Sequence, residues 1–337
     1  SSYSTFLLLC GGYEFGAMTG SFSHLLHFRG TGGSSNRLFP FCFFSLFKSN
    51  LSKKASKLIP VLVKRRYEME SRFLMCAPDY FGVEYNINPW MTDNLGRVDS
   101  TRAKRQWLSL FESLSKFATI ELLKPRPNLP DMVFTANAGL VREDSFIPSH
   151  FQYLERRREE THFRKWFSAR GYHLTDLAFS VSFEGEGDAL FQSDNNLLWM
   201  GHGFRTDPRS RDLIKALFPK CISLQLIDPR FYHLDTCFCL LPGGQVMYFP
   251  NAFSKDSLQS IADHFATQDR IEINEEDALH FACNAIVIGN TLILNHAGSA
   301  LIKRLQSLGY RAILQPVDEF LKAGGGTKCL ALSLSSN

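Results

Sequence analysis

Acids are nearly missing from the beginning of this chain: residues 1–66 hold nine Lys/Arg but one carboxylate, Glu14. With a formal charge of +4 overall, that +8 segment leaves residues 67–337 at −4. A mildly acidic body lacks the basic stripe of nucleic-acid-binding proteins, so no nucleic-acid partner is expected. Long apolar runs are lacking too. The longest in the N-terminal stretch, Phe6 to Cys10, falls far short of the ~20 residues a membrane helix needs, and no later segment qualifies. No membrane association is expected. Metal-ligand spacing is missing as well: the eight cysteines, at 10, 42, 76, 221, 237, 239, 283 and 329, form neither a CxxC pair nor a small-protein disulfide framework. Cys237 and Cys239 would point both thiols to one face of a strand, and reduced, buried thiols are the simpler reading. Neither a metal nor an organic cofactor is expected.

What the first segment does have is Ser, Phe, Leu and a terminal basic cluster, Lys64-Arg65-Arg66. Positive charge with Ser enrichment and missing acids suggests a mitochondrial or plastid transit peptide. The alternative is a natural start at Met69, with a cytoplasmic protein behind it. On either reading residues 1–68 are expected to be disordered, and 69–337 to form a single catalytic domain.

That body alternates strands with helices. Phe73–Cys76 reads as a buried first strand stopped by Pro78, and Thr101–Phe117 as a helix with Trp107, Leu110, Phe111 and Leu114 on one face. Strand patterns follow at 120–123 and 132–141, then a charged helix over about 151–169. The segments 187–192 and 195–200 read as a hairpin, followed by a helix near 207–217. Strands cluster at 222–227, 236–241 and 246–249, with Gly243-Gly244 as a turn. Helices at 254–266 and 297–308 bracket a hairpin at 285–288 and 291–295, and strands near 312–315 and 328–334 close the chain. The rhythm strand–strand–helix–strand recurs at least four times without sequence identity between the units, which predicts an α/β fold.

Four segments put polar residues where strands prefer apolar ones: 130–139 (PDMVFTANAG), 183–190 (FEGEGDAL), 231–237 (FYHLDTC) and 322–330 (KAGGGTKCL). Three glycines before Cys329 allow close backbone approach to a ligand, and a thiol at the mouth of a strand beside Lys328 is placed as a nucleophile would be. A small buried thiol after a flexible turn is the bland alternative. His233 and Asp235, two apart, would share one face of an extended chain, and an imidazole beside a carboxylate can act as general acid and base. Alone, His233 would read as a hydrogen-bonded core residue. Glu184 and Asp188 flank glycines where carboxylates could reach a cation, while Glu186 reads as a polar turn. EGEGD is no phosphate cradle, since it lacks the GxGxxG spacing and its acids repel phosphate. Acids, one His and one Cys together imply a planar cationic substrate: carboxylates grip a guanidinium by charge-assisted bonds and keep its central carbon electrophilic.

These segments, with FLMCAPDYFGVEYNINPWM and FACNA, resemble the guanidine-modifying, or pentein, superfamily, above all its arginine dihydrolase subfamily; the likeness runs from Arg72 to Leu332. The resemblance implies a five-bladed α/β propeller of ββαβ-type pseudo-repeats with its site on the central axis. By position it implies Cys329 as nucleophile, His233 as general acid/base and Glu184 as the carboxylate assisting proton transfer. Asp235 matches the acid on the guanidinium, with Asp188 beside it. Arg205 and Arg156 match arginines holding a substrate α-carboxylate, and Asn88 a substrate-contacting Asn. Asn137 stands where deiminases carry Asp, and the subfamily likeness implies a second hydrolysis. Arginine would then yield ornithine, two ammonia and carbon dioxide, instead of stopping at citrulline as a deiminase or dimethylarginine dimethylaminohydrolase does. A non-catalytic arginine-binding protein would lack Cys329, His233 or Glu184, and all three are present. Bifunctional relatives carry a further C-terminal domain, an activity not expected of a chain ending at Asn337. The implied partner is a small molecule, arginine or a methylated arginine, and a homo-oligomer is compatible with the sequence.

Overall fold

The computed structural model describes residues 4–10, 13–20, 71–177, 181–192 and 196–334. The chain divides into two units, Ser1–Leu58 and Ile59–Asn337. In the first, backbone strands β1 (Ser4–Cys10) and β2 (Tyr13–Gly20) pair as an antiparallel hairpin. Residues 21–68, which carry most of the expected disordered stretch, lie outside the described residues.

Five three-stranded sheets build the second unit among the described residues. Four arise from consecutive chain. They are β5-β6-β7 (Gly139–Arg142, Ser145–Pro148, His173–Leu174), β8-β9-β10 (Ala189–Gln192, Leu197–His202, Cys221–Gln225), β11-β12-β13 (Phe238–Leu240, Val246–Tyr248, Arg270–Glu272) and β14-β15-β16 (Ile286–Ile288, Thr291–Leu294, Arg311–Leu314). In each, the first two strands are antiparallel and the third runs parallel to the second. The fifth sheet joins the ends: β17 (Leu332–Ser333) pairs antiparallel with β3 (Arg72–Cys76), which runs parallel to β4 (Thr119–Leu123). The last strand thus takes the first place in the first sheet. A parallel third strand needs a crossover. Helices supply it: α1 (Ser100–Leu114), α2 (Leu154–Ser168), α3 (Ser210–Lys215), α4 (Lys255–His264) and, after α5 (Glu275–Leu279), α6 (Ser299–Ser307).

Local chemistry sets these helices. Asp99 caps α1 by accepting from the Arg102 amide at 2.9 Å, a device contributing about 1 kcal/mol, and the helix buries Ala103, Trp107, Leu110 and Leu114. Helix α6 ends at Ser307 with Leu308 as its C-cap, and Gly309, at φ 84°, takes the left-handed turn beyond it. Helix α2 differs. Its lower turns bury Phe163, Trp166 and Phe167, but its first turn turns an ion pair inward, Arg156 with Glu159. No helix among the described residues is long and apolar enough to cross a membrane.

The anticipated strands and helices occur within a few residues, but short elements were missed: β6, β7, β13, α5 and α7 (Asp318–Leu321). The 132–141 region is not one strand. Two 3-10 turns, Pro130–Val133 and Thr135–Ala138, precede β5. The same replacement occurs at 234–236 before β11 and 328–330 before β17. The hairpin turn between β8 and β9 includes residues outside the described set, whereas Gly244 does turn between β11 and β12 at φ 82°.

Candidate active site

Those turns are where the polar residues sit. Asn137 lies in the 3-10 turn before β5, Glu184 and Asp188 bracket Gly185–Gly187 before β8, His233 and Asp235 precede β11, Asn284 precedes β14, and Cys329 precedes β17. One repeat position therefore carries the chemistry from every sheet. A tight turn frees side chains from strand alternation, which is why His233 and Asp235 do not share a face as their spacing implied.

They serve different partners instead. His233 Nε2 lies 2.7 Å from Glu184 Oε2, and Asn137 Nδ2 lies 3.5 Å from His233 Nδ1. Those partners fix the tautomer, with Nε2–H donating to Glu184 and Nδ1 left as the acceptor. Glu184 also accepts from Arg205 Nη1 at 3.1 Å and from the Gln152 amide at 3.1 Å. Burial alone would raise this carboxyl, but Arg205, the bond with His233 and Arg156 outweigh it and hold it well below the usual range. Glu184 is a buried anion, matched by cations.

Asp235 faces the thiol. Cys329 Sγ donates to Asp235 Oδ2 at 3.5 Å, and Asn284 Nδ2 donates to Sγ at 3.2 Å. Asn284 Oδ1 in turn accepts from the amides of Lys328 and Cys329 at 2.9 and 3.1 Å, so one side chain fixes both the loop and the sulfur. The glycine run permits this. A Cβ on Gly326 would sit 2.6 Å from Asn284 Oδ1, and Gly324, at φ 80°, would press a Cβ to 2.7 Å from the Tyr232 hydroxyl. Burial, with the Asp235 carboxylate, pushes the Cys329 thiol well above its ordinary value, and burial raises Asp235 to about 7. Unliganded, this pair is driven toward its protonated forms.

Arg156, expected at a substrate carboxylate, is engaged by protein. Its Nε and Nη2 grip Glu159 at 3.0 and 2.9 Å, Nη2 reaches the Asp131 carbonyl at 3.1 Å, and Nη1 donates to Asn137 Oδ1 at 2.9 Å. With its oxygen so held, Asn137 can present only N–H donors to His233 and the cavity. Arg205 lies buried between the Tyr153 and Tyr232 rings, 4.8 and 4.4 Å from their centroids, with Nη2 on the Ile87 carbonyl. Asn88 donates to the Ala323 carbonyl at 3.0 Å and accepts from the Trp90 amide at 3.0 Å. Asp188 accepts from the Leu234 amide at 3.0 Å, and burial raises its carboxyl to about 6. It braces the His233 loop.

A small cavity joins Asn88, Asp131, Asn137, Arg156, Arg205 and Cys329. Glu184, His233 and Asp235 stand behind that lining, reached through Arg205, Asn137 and Cys329. The cavity exposes residues that the sequence reading gave no role. Asp131 is buried, its Oδ2 accepts from Tyr85 at 2.9 Å, and its Oδ1 has no hydrogen-bond partner among the described residues. Asn284 was visible only as part of FACNA. Lys328 is not a free cation beside the thiol: it pairs with Glu186, which also accepts from the Ser333 amide at 3.0 Å, so Glu186 is more than a polar turn. Cys76, Cys221, Cys237, Cys239, Cys283 and Cys329 are buried free thiols, and no group of three or more His, Cys, Asp or Glu among the described residues could hold a metal ion.

A thiol, an imidazole–carboxylate pair and acids around one small cavity define the class of guanidine-modifying enzymes. The chain belongs to the family described as "N,N dimethylarginine dimethylhydrolase, eukaryotic", whose profile matches residues 93–335. It is 44% identical over 265 residues to the bifunctional arginine dihydrolase/ornithine cyclodeaminase AgrE of Nostoc sp., a match covering 78% of this chain and 38% of AgrE. It is 35% identical to the N(G),N(G)-dimethylarginine dimethylaminohydrolase of Mycobacterium tuberculosis, covering 80% of this chain and 88% of that protein. The chain spans about two fifths of the length of the bifunctional relatives it matches. Among solved structures, the N-terminal domain of the cyanobacterial arginine dihydrolase ArgZ, a mutant bound to substrate, superposes with a TM-score of 0.78 at 42% identity, covering 79% of this chain and 99% of that one. A dimethylarginine dimethylaminohydrolase adduct with S-methyl-L-thiocitrulline shares the mixed α/β fold, at a TM-score of 0.65 and 21% identity.

Proposed function

We propose that this protein is an arginine dihydrolase, converting L-arginine to ornithine, two ammonia and carbon dioxide through a covalent intermediate on Cys329. The observation that carries the reading is that Cys329, in buried contact with Asp235 behind it, shares one cavity with Asn137, whose amide is oriented by Arg156. The identity to AgrE and ArgZ supports it, and the five sheets with one strand order support a five-bladed propeller with this cavity at its axis.

The substrate supplies the charge that the resting site lacks. Asp131 Oδ1, a buried acceptor without a partner among the described residues, suits an α-ammonium group, and the Arg205 guanidinium suits the α-carboxylate. The substrate guanidinium then faces Asp235 and Cys329. A cation there ionises Asp235, whose proton passes to solvent. It also favours transfer of the thiol proton to Nδ1 of His233, the acceptor nitrogen of its neutral ring, since opposite charge at close range lowers both acids. The thiolate adds to the guanidinium carbon. His233, held by Glu184, delivers a proton to one nitrogen, and the C–N bond breaks to release ammonia. A thiouronium remains on Cys329. Water, deprotonated by His233, adds to that carbon, and the thiolate leaves with a ureido product.

At this point Asn137 matters. An Asp would favour only the cation, whereas the N–H donors of Asn137 also suit the oxygen of a neutral ureido group. The group is held for a second attack, and a second water gives ammonia and a carbamate that loses carbon dioxide to leave ornithine. The family description favours one further reading, hydrolysis of dimethylarginine at the same site, in which dimethylamine would leave in place of ammonia.

Acid quenching during turnover with arginine tests the covalent step. Mass spectrometry should find the added mass on the peptide containing Cys329. Cys329→Ala should lose turnover by roughly 10⁴-fold or more while binding arginine with similar affinity. Turnover retained in that variant removes the nucleophile and the reading with it.

A further inference from the structure

Asn284, fully buried in the turn before β14, has every hydrogen-bonding position of its side chain in use. Oδ1 accepts from the amides of Lys328 and Cys329 at 2.9 and 3.1 Å. Nδ2 donates to the Asp235 carbonyl at 3.1 Å and to Cys329 Sγ at 3.2 Å. Two acceptor sites and two hydrogens are all that a carboxamide has. The two backbone amides fix which end is oxygen, so an N–H faces the sulfur.

Each cation near that sulfur is committed elsewhere. Lys328, next to it in sequence, pairs with Glu186, and the arginines lining the same cavity, Arg156 and Arg205, pair with Glu159 and Glu184. The Tyr232 hydroxyl donates to the Gly324 carbonyl at 2.6 Å, and the His233 ring donates to Glu184. Burial and the Asp235 carboxylate push the thiol up, whereas the Gly326 amide and Asn284 act in the opposite direction. Of those two donors, Asn284 is the side chain.

The second hydrolysis needs such a donor most. A substrate guanidinium brings its own positive charge to the first attack, but the ureido group left after one ammonia is neutral. A thiolate must then form beside it with help from the protein alone. When each tetrahedral adduct collapses, the S–C bond breaks, its electron pair returns to the sulfur, and the charge reappears there. An N–H already held at 3.2 Å meets that charge without rearrangement.

We propose that Asn284 is a further catalytic residue, whose Nδ2–H stabilises the Cys329 thiolate as it attacks and each time it departs. The inference rests on the hydrolase reading above. A hydrogen bond to a charged sulfur is stronger than one to a thiol or thioether, so the contact favours the states in which the charge develops.

The test measures thiolate formation directly. The probe is 2-chloroacetamidine, a small amidinium from which the thiolate displaces chloride, and adducts on the Cys329 peptide are counted by mass spectrometry across pH. Asn284→Asp keeps an oxygen for the two loop amides and removes only the donor. Its alkylation midpoint should rise by roughly one pH unit or more. Its kcat for arginine should fall by roughly ten-fold or more with KM little changed, because Asn284 is not among the residues lining the cleft. Thr327→Val is the structural comparator: its hydroxyl holds the same loop through the Asn284 and Ile293 carbonyls, so the midpoint should stay at the wild-type value. If Asn284→Asp does not fold, Asn284→Ala is read identically. A folded Asn284 variant with the wild-type midpoint overturns the assignment whatever its kcat, as does an equal shift in Thr327→Val. Wild-type protein that forms no Cys329 adduct with the probe and no product from arginine or dimethylarginine overturns the hydrolase reading instead, so the two failures are separable.

Discussion

The two halves of the site are equally buried and electrostatically opposite. Glu184 and Asp235 are both about 1% exposed or less, yet Glu184 is held ionised and Asp235 is driven toward neutrality. The difference is the supply of cations. Arg205 touches Glu184 directly and Arg156 lies nearby, with His233 donating a hydrogen bond, whereas the cation acting on Asp235 is Lys328, which is committed to Glu186. Burial penalises charge in both places, and only a neighbouring opposite charge reverses the outcome. The proton-transfer half is thus charged before substrate arrives, and the nucleophile half waits for the substrate's own charge.

The largest blow to the charged half is His233→Ala. It should lower kcat by about 10²–10⁴-fold, the range of a lost general acid–base, and steady-state kinetics with arginine would measure it. Glu159→Gln comes next and acts on stability. It strands the Arg156 guanidinium without its bidentate partner and should cost roughly 3–5 kcal/mol in denaturant unfolding. Asn137 loses its anchor with it, so product should shift toward citrulline. Asn137→Asp gives that shift without the structural damage: citrulline with little ornithine, at a modest loss of arginine turnover. Equal ornithine from this variant would show that the amide is not what permits the second step.

The smallest effect sharpens the neutral half. Asp235 titrates near 7 in the folded protein against an ordinary value of about 4, so the folded state keeps a proton that the unfolded chain has lost. Its contribution to stability is complete below about pH 4 and is lost as pH rises toward 7. Asp235→Asn should therefore lose less stability than wild type between pH 5 and 8, by roughly 2–3 kcal/mol. Unfolding curves at the two pH values read the difference.

Much of this was legible in sequence because strands and amphipathic helices announce themselves by period. Cys329, after three glycines and before an apolar strand, is the clearest example, and His233 and Glu184 stood out as polar residues inside strand-like runs. The 3-10 turns were not legible. Thr135–Ala138 and Leu234–Thr236 have the composition of a strand start, but the Ser149 hydroxyl donates to the Asn137 carbonyl and the Thr236 hydroxyl to the His233 carbonyl, bonds that a periodic pattern does not announce. Arg156 shows the same limit. Its type suggested a ligand contact, but its partner Glu159 lies one helical turn away among a run of charges that reads as a solvated face. Asn284 had no periodic or charge signal at all; its importance lies in reaching Cys329 across 45 residues.

The central claim is that Asn137 and the Cys329–Asp235 pair process one carbon twice. Incubating residues 69–337 with arginine and measuring ammonia, citrulline and ornithine by mass spectrometry and enzymatic assay tests it directly. Two ammonia per arginine consumed, with ornithine as the amino-acid product, is the result this account requires. One ammonia with accumulating citrulline contradicts it.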